Sequence, residues 1–137
     1  PELKSEISQA RSQALHTFTK IGDKQYYPLI THELLFDADD SVAVTAWRTA
    51  SVLVPEDEKS ALIDILITQL ARGDSDTQFG LTRFLCNLGE KIVEPLAKAA
   101  QSSKEEVRTH AEFTLMRYRE MELETLSSRR PLRDKNP

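Results

Sequence analysis

Ile21-Gly22-Asp23-Lys24, three residues, then Pro28-Leu29 recurs as Leu88-Gly89-Glu90-Lys91, three residues, then Pro95-Leu96. The spacing within the two copies is identical, and they lie 67 residues apart. That distance is two units of a repeat of about 30–35 residues, and a fixed period of this size marks stacked structural units. A looser middle copy falls where such a repeat requires one. Leu53-Val54-Pro55-Glu56-Asp57 occupies the equivalent junction, without the glycine, and Ala61-Leu62-Ile63 follows it.

The junctions set the register of the segments before them. Frames begin at Ala10, Val42, Thr77 and Val107. Four positions on stand Ala14, Ala46, Leu81 and Ala111; seven on, Thr17, Thr49, Phe84 and Thr114; eight on, Phe18, Ala50, Leu85 and Leu115. Eleven on stand Ile21, Leu53, Leu88 and Tyr118. These offsets share one face of a 3.6-residue helix. Each frame therefore reads as an amphipathic helix with a small or apolar inner stripe.

Three further helices are expected between them, over 25–36, 57–71 and 91–101, about seven in all. Gly22, Gly73 and Gly89 stand where a left-handed residue would end a helix. Pro55 ahead of Glu56, Asp57 and Glu58 suits a first turn, where proline loses no hydrogen bond and acids meet the helix dipole. Ser103-Lys104-Glu105-Glu106 has the spacing of a capping box. Asp39-Asp40-Ser41 and Asp74-Ser75-Asp76 read as polar turns. No segment alternates as a strand does, which argues against β and α/β folds. A helix pair of this size cannot bury its own apolar face, so neighbours must stack, as in a solenoid. Gly80 sits inside a frame, and close helix approach is the expected reason.

Composition narrows the function. Apolar residues make up 39% and charged residues 29%, a balance that suits one soluble domain with a true core. The formal net charge of −4 argues against a nucleic-acid-binding domain. Cys86 is the single cysteine, so no disulfide framework forms within the chain, which points to the cytoplasm. No apolar run has the length of a membrane span. The chain opens on Pro1 rather than Met, which suggests an excised or processed piece. Residues 1–123 carry 14 Lys/Arg against 20 Asp/Glu. Residues 124–137 reverse this, with Arg129, Arg130, Arg133 and Lys135 against Glu124 and Asp134, and read as a basic flexible tail.

The turn-and-helix units Asp37-Ala38-Asp39-Asp40-Ser41-Val42, Asp74-Ser75-Asp76 running to Leu88-Gly89, and Ser103 through Val107-Arg108 resemble the HEAT-repeat family. The likeness is to the short HEAT-like repeats of the phycobilisome-lyase type and covers residues 5–122. The family's alanine-rich centre is replaced here by Thr and bulkier side chains, and its valine-arginine start survives only at Val107-Arg108. The resemblance implies a right-handed α-α superhelix over residues 1–123 and a protein-binding scaffold whose second helices line the concave side. It also implies a different reading, a bilin lyase or chaperone-like subunit. A minor group of the family excises damaged bases, a chemistry that wants basic surroundings and a groove carboxylate. The domain is acidic instead, and Glu112 is the one acid on the outward face.

Offsets 2, 5, 6 and 9 of each frame lie opposite the inner stripe. They include Ser12, Leu15, His16 and Thr19; Val44, Trp47, Arg48 and Ser51; Phe79, Thr82, Arg83 and Cys86; and Thr109, Glu112, Phe113 and Met116. Aromatic residues, Met and Arg are enriched at binding hot spots. The expected partner-binding set is Val44, Trp47, Arg48, Phe79, Arg83, Cys86, Phe113 and Met116, with the partner an unidentified protein segment bearing acidic residues. The competing reading packs these side chains against the next repeat. No catalytic residue, metal or cofactor is expected. His32-Glu33-Leu34-Leu35 lacks the second histidine of a zinc-protease helix, because position 36 is Phe36. Cys86 would need His110 as a base to act as a nucleophile, and otherwise reads as a small apolar filler. His110 itself falls at the core edge of its helix, where a hydrogen bond is expected.

Overall fold

A computed structural model describes residues 2–129, and side chains from 9 to 128. Helices are the only regular structure among those residues, with no strand among them. The α-helices are α1 (Glu2–Ile21), α2 (His32–Leu35), α3 (Asp40–Leu53), α4 (Lys59–Ile67), α5 (Ser75–Asn87), α6 (Val93–Ala99) and α7 (Glu105–Arg129). Short 3-10 turns at Lys24–Leu29, Glu56–Glu58 and Glu90–Ile92 lead into α2, α4 and α6. No described helix is long and apolar enough to cross a membrane.

The long helices pack in chain order: α1 on α3, α3 on α5, α5 on α7. The short segments pack beside them, α2 on α3, α4 on α6 and α6 on α7. Residue chemistry explains the helix ends. The Asp39 carboxylate accepts the Ser41 N–H at 2.9 Å and starts α3. Asp74 does the same for α5 through the Thr77 N–H at 2.9 Å. These side chains satisfy amides that a helix start leaves unpaired. At α7 it is Ser102, one residue before the expected capping serine, whose hydroxyl accepts the Lys104 N–H. Gly22, Gly73 and Gly89 all have positive φ, as the junction pattern predicts. Gly73 is also sterically fixed, since a Cβ there would lie 2.9 Å from the Thr77 side chain.

The two matching junctions meet the middle one from either side. Lys24 Nζ donates to the Val54 carbonyl at 3.1 Å, and Lys91 Nζ lies 3.1 Å from the Glu56 carboxylate. The internal repeat is thus also a set of physical contacts.

The inner stripe holds in three frames and fails in one. Val42, Ala46, Thr49, Ala50 and Leu53 are all buried, as are Thr77, Leu81, Phe84, Leu85 and Leu88. In α7, Ala111, Thr114, Leu115 and Tyr118 are buried and Val107 is half-buried. In α1, Ala10, Ala14, Thr17 and Ile21 are exposed, while Leu15 is 1% exposed. The reason is the packing partner. α1 turns Leu15 and Thr19 toward α3, and of the expected stripe only Phe18 is half-buried, stacked on Tyr26 of the following 3-10 turn. At the far end, residues 124–129, expected to open the tail, are part of α7, which continues through Arg129. Residues 130–137, with Arg130, Arg133 and Lys135, lie outside the described residues.

Gly80 does not mark the close approach its position suggested. A Cβ there would lie 3.6 Å from Val44 Cγ1 and 3.7 Å from Phe84 Cε2, which is ordinary contact. Gly80→Ala is expected to stabilise the protein by up to about 1 kcal/mol, the helix-interior cost of glycine. Urea denaturation would show a higher midpoint at unchanged slope; a lower midpoint would mean that α3 and α5 cannot accept the methyl group.

Candidate functional site

Each helix in the row needs two buried faces, one toward the short segments and one toward the next long helix. This splits the outward set. Trp47, expected on the binding face, is 0% exposed. Its indole Nε1–H donates to the Leu35 carbonyl at 2.9 Å, which satisfies the polar end of a buried ring. The Arg72 guanidinium sits 5.7 Å from the ring centroid. Arg72 also binds Asp40 Oδ1 at 2.9 Å and donates to the Asp37 carbonyl. Asp37 in turn pairs with Arg11 of α1 at 3.0 Å. Trp47 is therefore part of the seam between consecutive units.

Cys86 and Thr82 are buried as well. The Cys86 thiol points at the Thr114 carbonyl at 3.8 Å. Burial pushes the thiol up, and Arg117 nearby offsets this only in part. A raised thiol is a poor nucleophile at neutral pH. Leu15 and Thr19, on the outward list for α1, face α3 instead, with Thr19 Oγ1 2.7 Å from Thr49 Oγ1.

His110 has the most fully determined surroundings. The backbone N–H of Ala71, a residue with φ of 70°, donates to His110 Nδ1 at 2.8 Å. An amide can only donate, so Nδ1 carries no proton and the neutral ring is protonated at Nε2. Nε2 lies 3.0 Å from both Thr82 Oγ1 and the Gln78 carbonyl. With Nε2–H directed there, Thr82 donates to Thr114 Oγ1 at 2.8 Å, and Thr114 donates to the His110 carbonyl at 2.9 Å. Every proton in this buried cycle then has a partner. Burial holds His110 below its ordinary pKa, with the Gln78 carbonyl pulling weakly the other way.

What stays open is offsets 2 and 6. These are Val44 with Arg48, Phe79 with Arg83, and Thr109 with Phe113; Met116 on α7 is exposed too. Val44, Arg48 and Phe113 are half-buried, while Phe79 is 58% and Met116 53% exposed. Phe79 and Phe113 contact each other across α5 and α7, with ring centroids 5.7 Å apart. A cavity opens on each side of this pair. One, of about 540 Å³, is bounded by Glu105, Glu106 and His110. The other, of about 350 Å³, is bounded by Arg83, Arg117 and Met121. Sequence reasoning missed Arg117 and Met121, which lie beyond offset 9, the last outward position considered. It also missed Glu105 and Glu106, which were read as capping residues alone.

No group of His, Cys, Asp or Glu able to hold a metal occurs among the described residues. Comparison with known protein families, curated proteins and solved structures finds no match.

Two outcomes separate seam from surface. Trp47→Ala should cost about 3–5 kcal/mol, enough to unfold much of a marginally stable domain, whereas Phe79→Ala should change stability by less than about 1 kcal/mol. Thermal melts by circular dichroism would show this; a small Trp47→Ala shift would contradict the seam. Stability should also depend on His110. Its folded pKa is depressed, so the unfolded chain binds the proton more readily. Stability should fall as pH drops below about 6.5, by at most about 1.4 kcal/mol per pH unit. Urea midpoints compared at pH 7.5 and 5.5 should show this loss in the wild type and a smaller one in His110→Gln; equal losses would contradict the cycle.

Proposed function

We propose that this chain is a HEAT-like α-solenoid module that works as a protein-interaction scaffold, taking a partner segment along the open side of its long helices. The observation that carries this reading is the Phe79–Phe113 pair. Two large rings meet at the surface, with a cavity on each side and further apolar surface at Met116. An exposed apolar patch with a polar rim is the usual form of a protein-binding surface, and aromatic anchors dominate its energetics. The 67-residue internal match and the serial packing of α1, α3, α5 and α7 support the solenoid part of the reading. Such folds present a row of helices to extended or helical segments.

The binding set differs from the one read in the sequence. Phe79, Phe113, Arg83 and Met116 remain, with Val44 and Arg48 at the margin. Trp47 leaves it, because a fully buried side chain cannot reach a partner without unfolding its surroundings, and Cys86 is reduced to a nearly buried wall of the Arg83 cavity.

A quantitative pull-down from native lysate tests the proposal, using wild type and Phe79→Ala/Arg83→Ala as baits. Captured proteins would be identified and rebound in purified form. Removing one aromatic anchor should cost about 2 kcal/mol, or about thirtyfold in affinity. A partner held by the wild type and lost by the folded variant is the expected result. If both baits hold the same proteins, the scaffold reading of this face fails.

A further inference from the structure

The cleft between α5 and α7 is electrically divided, and the Phe79–Phe113 pair is the divider. Both cavities share Phe79, Thr82 and Phe113 as walls, so they are two halves of one groove. Glu105 and Glu106 edge the half at the start of α7, and neither makes an ion pair among the described residues. His110, in the same wall, adds no positive charge, because its Nδ1 accepts the Ala71 amide. Arg83 and Arg117 edge the other half. Arg117 lies 3.7 Å from Glu120 and 3.8 Å from Glu124, so its charge is partly shared, whereas Arg83 has no ion-pair partner among the described residues.

We infer that this groove selects a partner segment carrying opposite charges at its two ends, a basic residue over Glu105 and Glu106 and an acidic residue over Arg83, with a large apolar side chain seated on Phe79 and Phe113. The inference rests on the proposed scaffold function and names the chemistry of what binds there.

Geometry sets the length. From Glu105 to Arg117, which edges the same half as Arg83, the helix rises about 18 Å, at 1.5 Å per residue. An extended chain covers that distance in about five or six residues at about 3.3 Å each. The middle of the segment meets apolar surface, where burial provides affinity. Its ends meet charge, which rejects wrong partners more strongly than it tightens right ones. A uniformly acidic segment would be drawn to Arg83 and repelled at Glu105 and Glu106.

The test is a random twelve-residue peptide library displayed on phage, panned on the described chain at full length. Peptides that also bind folded Phe79→Ala are subtracted. The expected winners carry an aromatic or large aliphatic residue flanked by one basic and one acidic residue, about five or six positions apart. A synthetic winner should bind Glu105→Lys/Glu106→Lys at least about tenfold more weakly, and exchanging its basic residue for Glu should restore binding to that variant. Glu105→Gln/Glu106→Gln, which keeps side-chain size, should lose the preference for the basic end. Winners of one charge sign, or without charge, would overturn the divided-groove inference and leave the scaffold reading standing. If no peptide depends on Phe79, the scaffold reading fails, and this inference with it.

Discussion

The Arg72 guanidinium joins two successive units, and much of the architecture follows from where it sits. It leaves the loop before α5, pairs with Asp40 at the start of α3, donates to the Asp37 carbonyl, and covers the Trp47 ring. One planar group thus closes an acidic turn, caps a buried aromatic and ties α5 to α3. Such a fork suits arginine and not lysine, because its donors point in fixed directions. Arg11 of α1 reaches the same turn through Asp37. The Asp37–Asp40 turn is therefore held from both neighbours, and its position fixes theirs.

Lateral packing farther along depends on hydroxyl groups. Thr19 meets Thr49 between α1 and α3, and Thr82 meets Thr114 between α5 and α7. A buried hydroxyl must find a partner within about 3 Å, or the desolvation cost stands against folding. Threonine at a helix seam therefore fixes register more tightly than alanine, which is satisfied by any close contact. His110 strengthens this at α5–α7, because both its ring nitrogens and its carbonyl enter the cycle. That register brings Phe79 level with Phe113. The open aromatic pair thus follows from the buried polar network beneath it.

Much of this was legible in the chain. The stripes of α3, α5 and α7 could be read by offset, because burial against the short segments imposes a 3.6-residue period. The positive-φ glycines could be read from position, since few other residues adopt that backbone at low cost. The α1 stripe was misread because periodicity reports that a helix has a face, not which neighbour is present to cover it. Trp47 was misread for a related reason. Offset 5 lies away from the inner stripe yet points into the seam with the next unit, and a wheel drawn on one helix contains no second helix.

The sequence by itself determined that the described residues build helices and no strand, where the junctions fall, and the inner faces of α3, α5 and α7. These are local or periodic properties, set by backbone preferences and by the need to bury one face. The tertiary structure alone decided which outward residues remain outward. Trp47, Thr82 and Cys86 are covered while Phe79, Arg83 and Met116 are not, because exposure depends on side-by-side contacts between helices whose touching residues lie 28 or 30 positions apart. It also decided that these charges edge a groove, since Glu105 and Arg117 share walls with Phe79 of α5 only when α7 lies alongside α5.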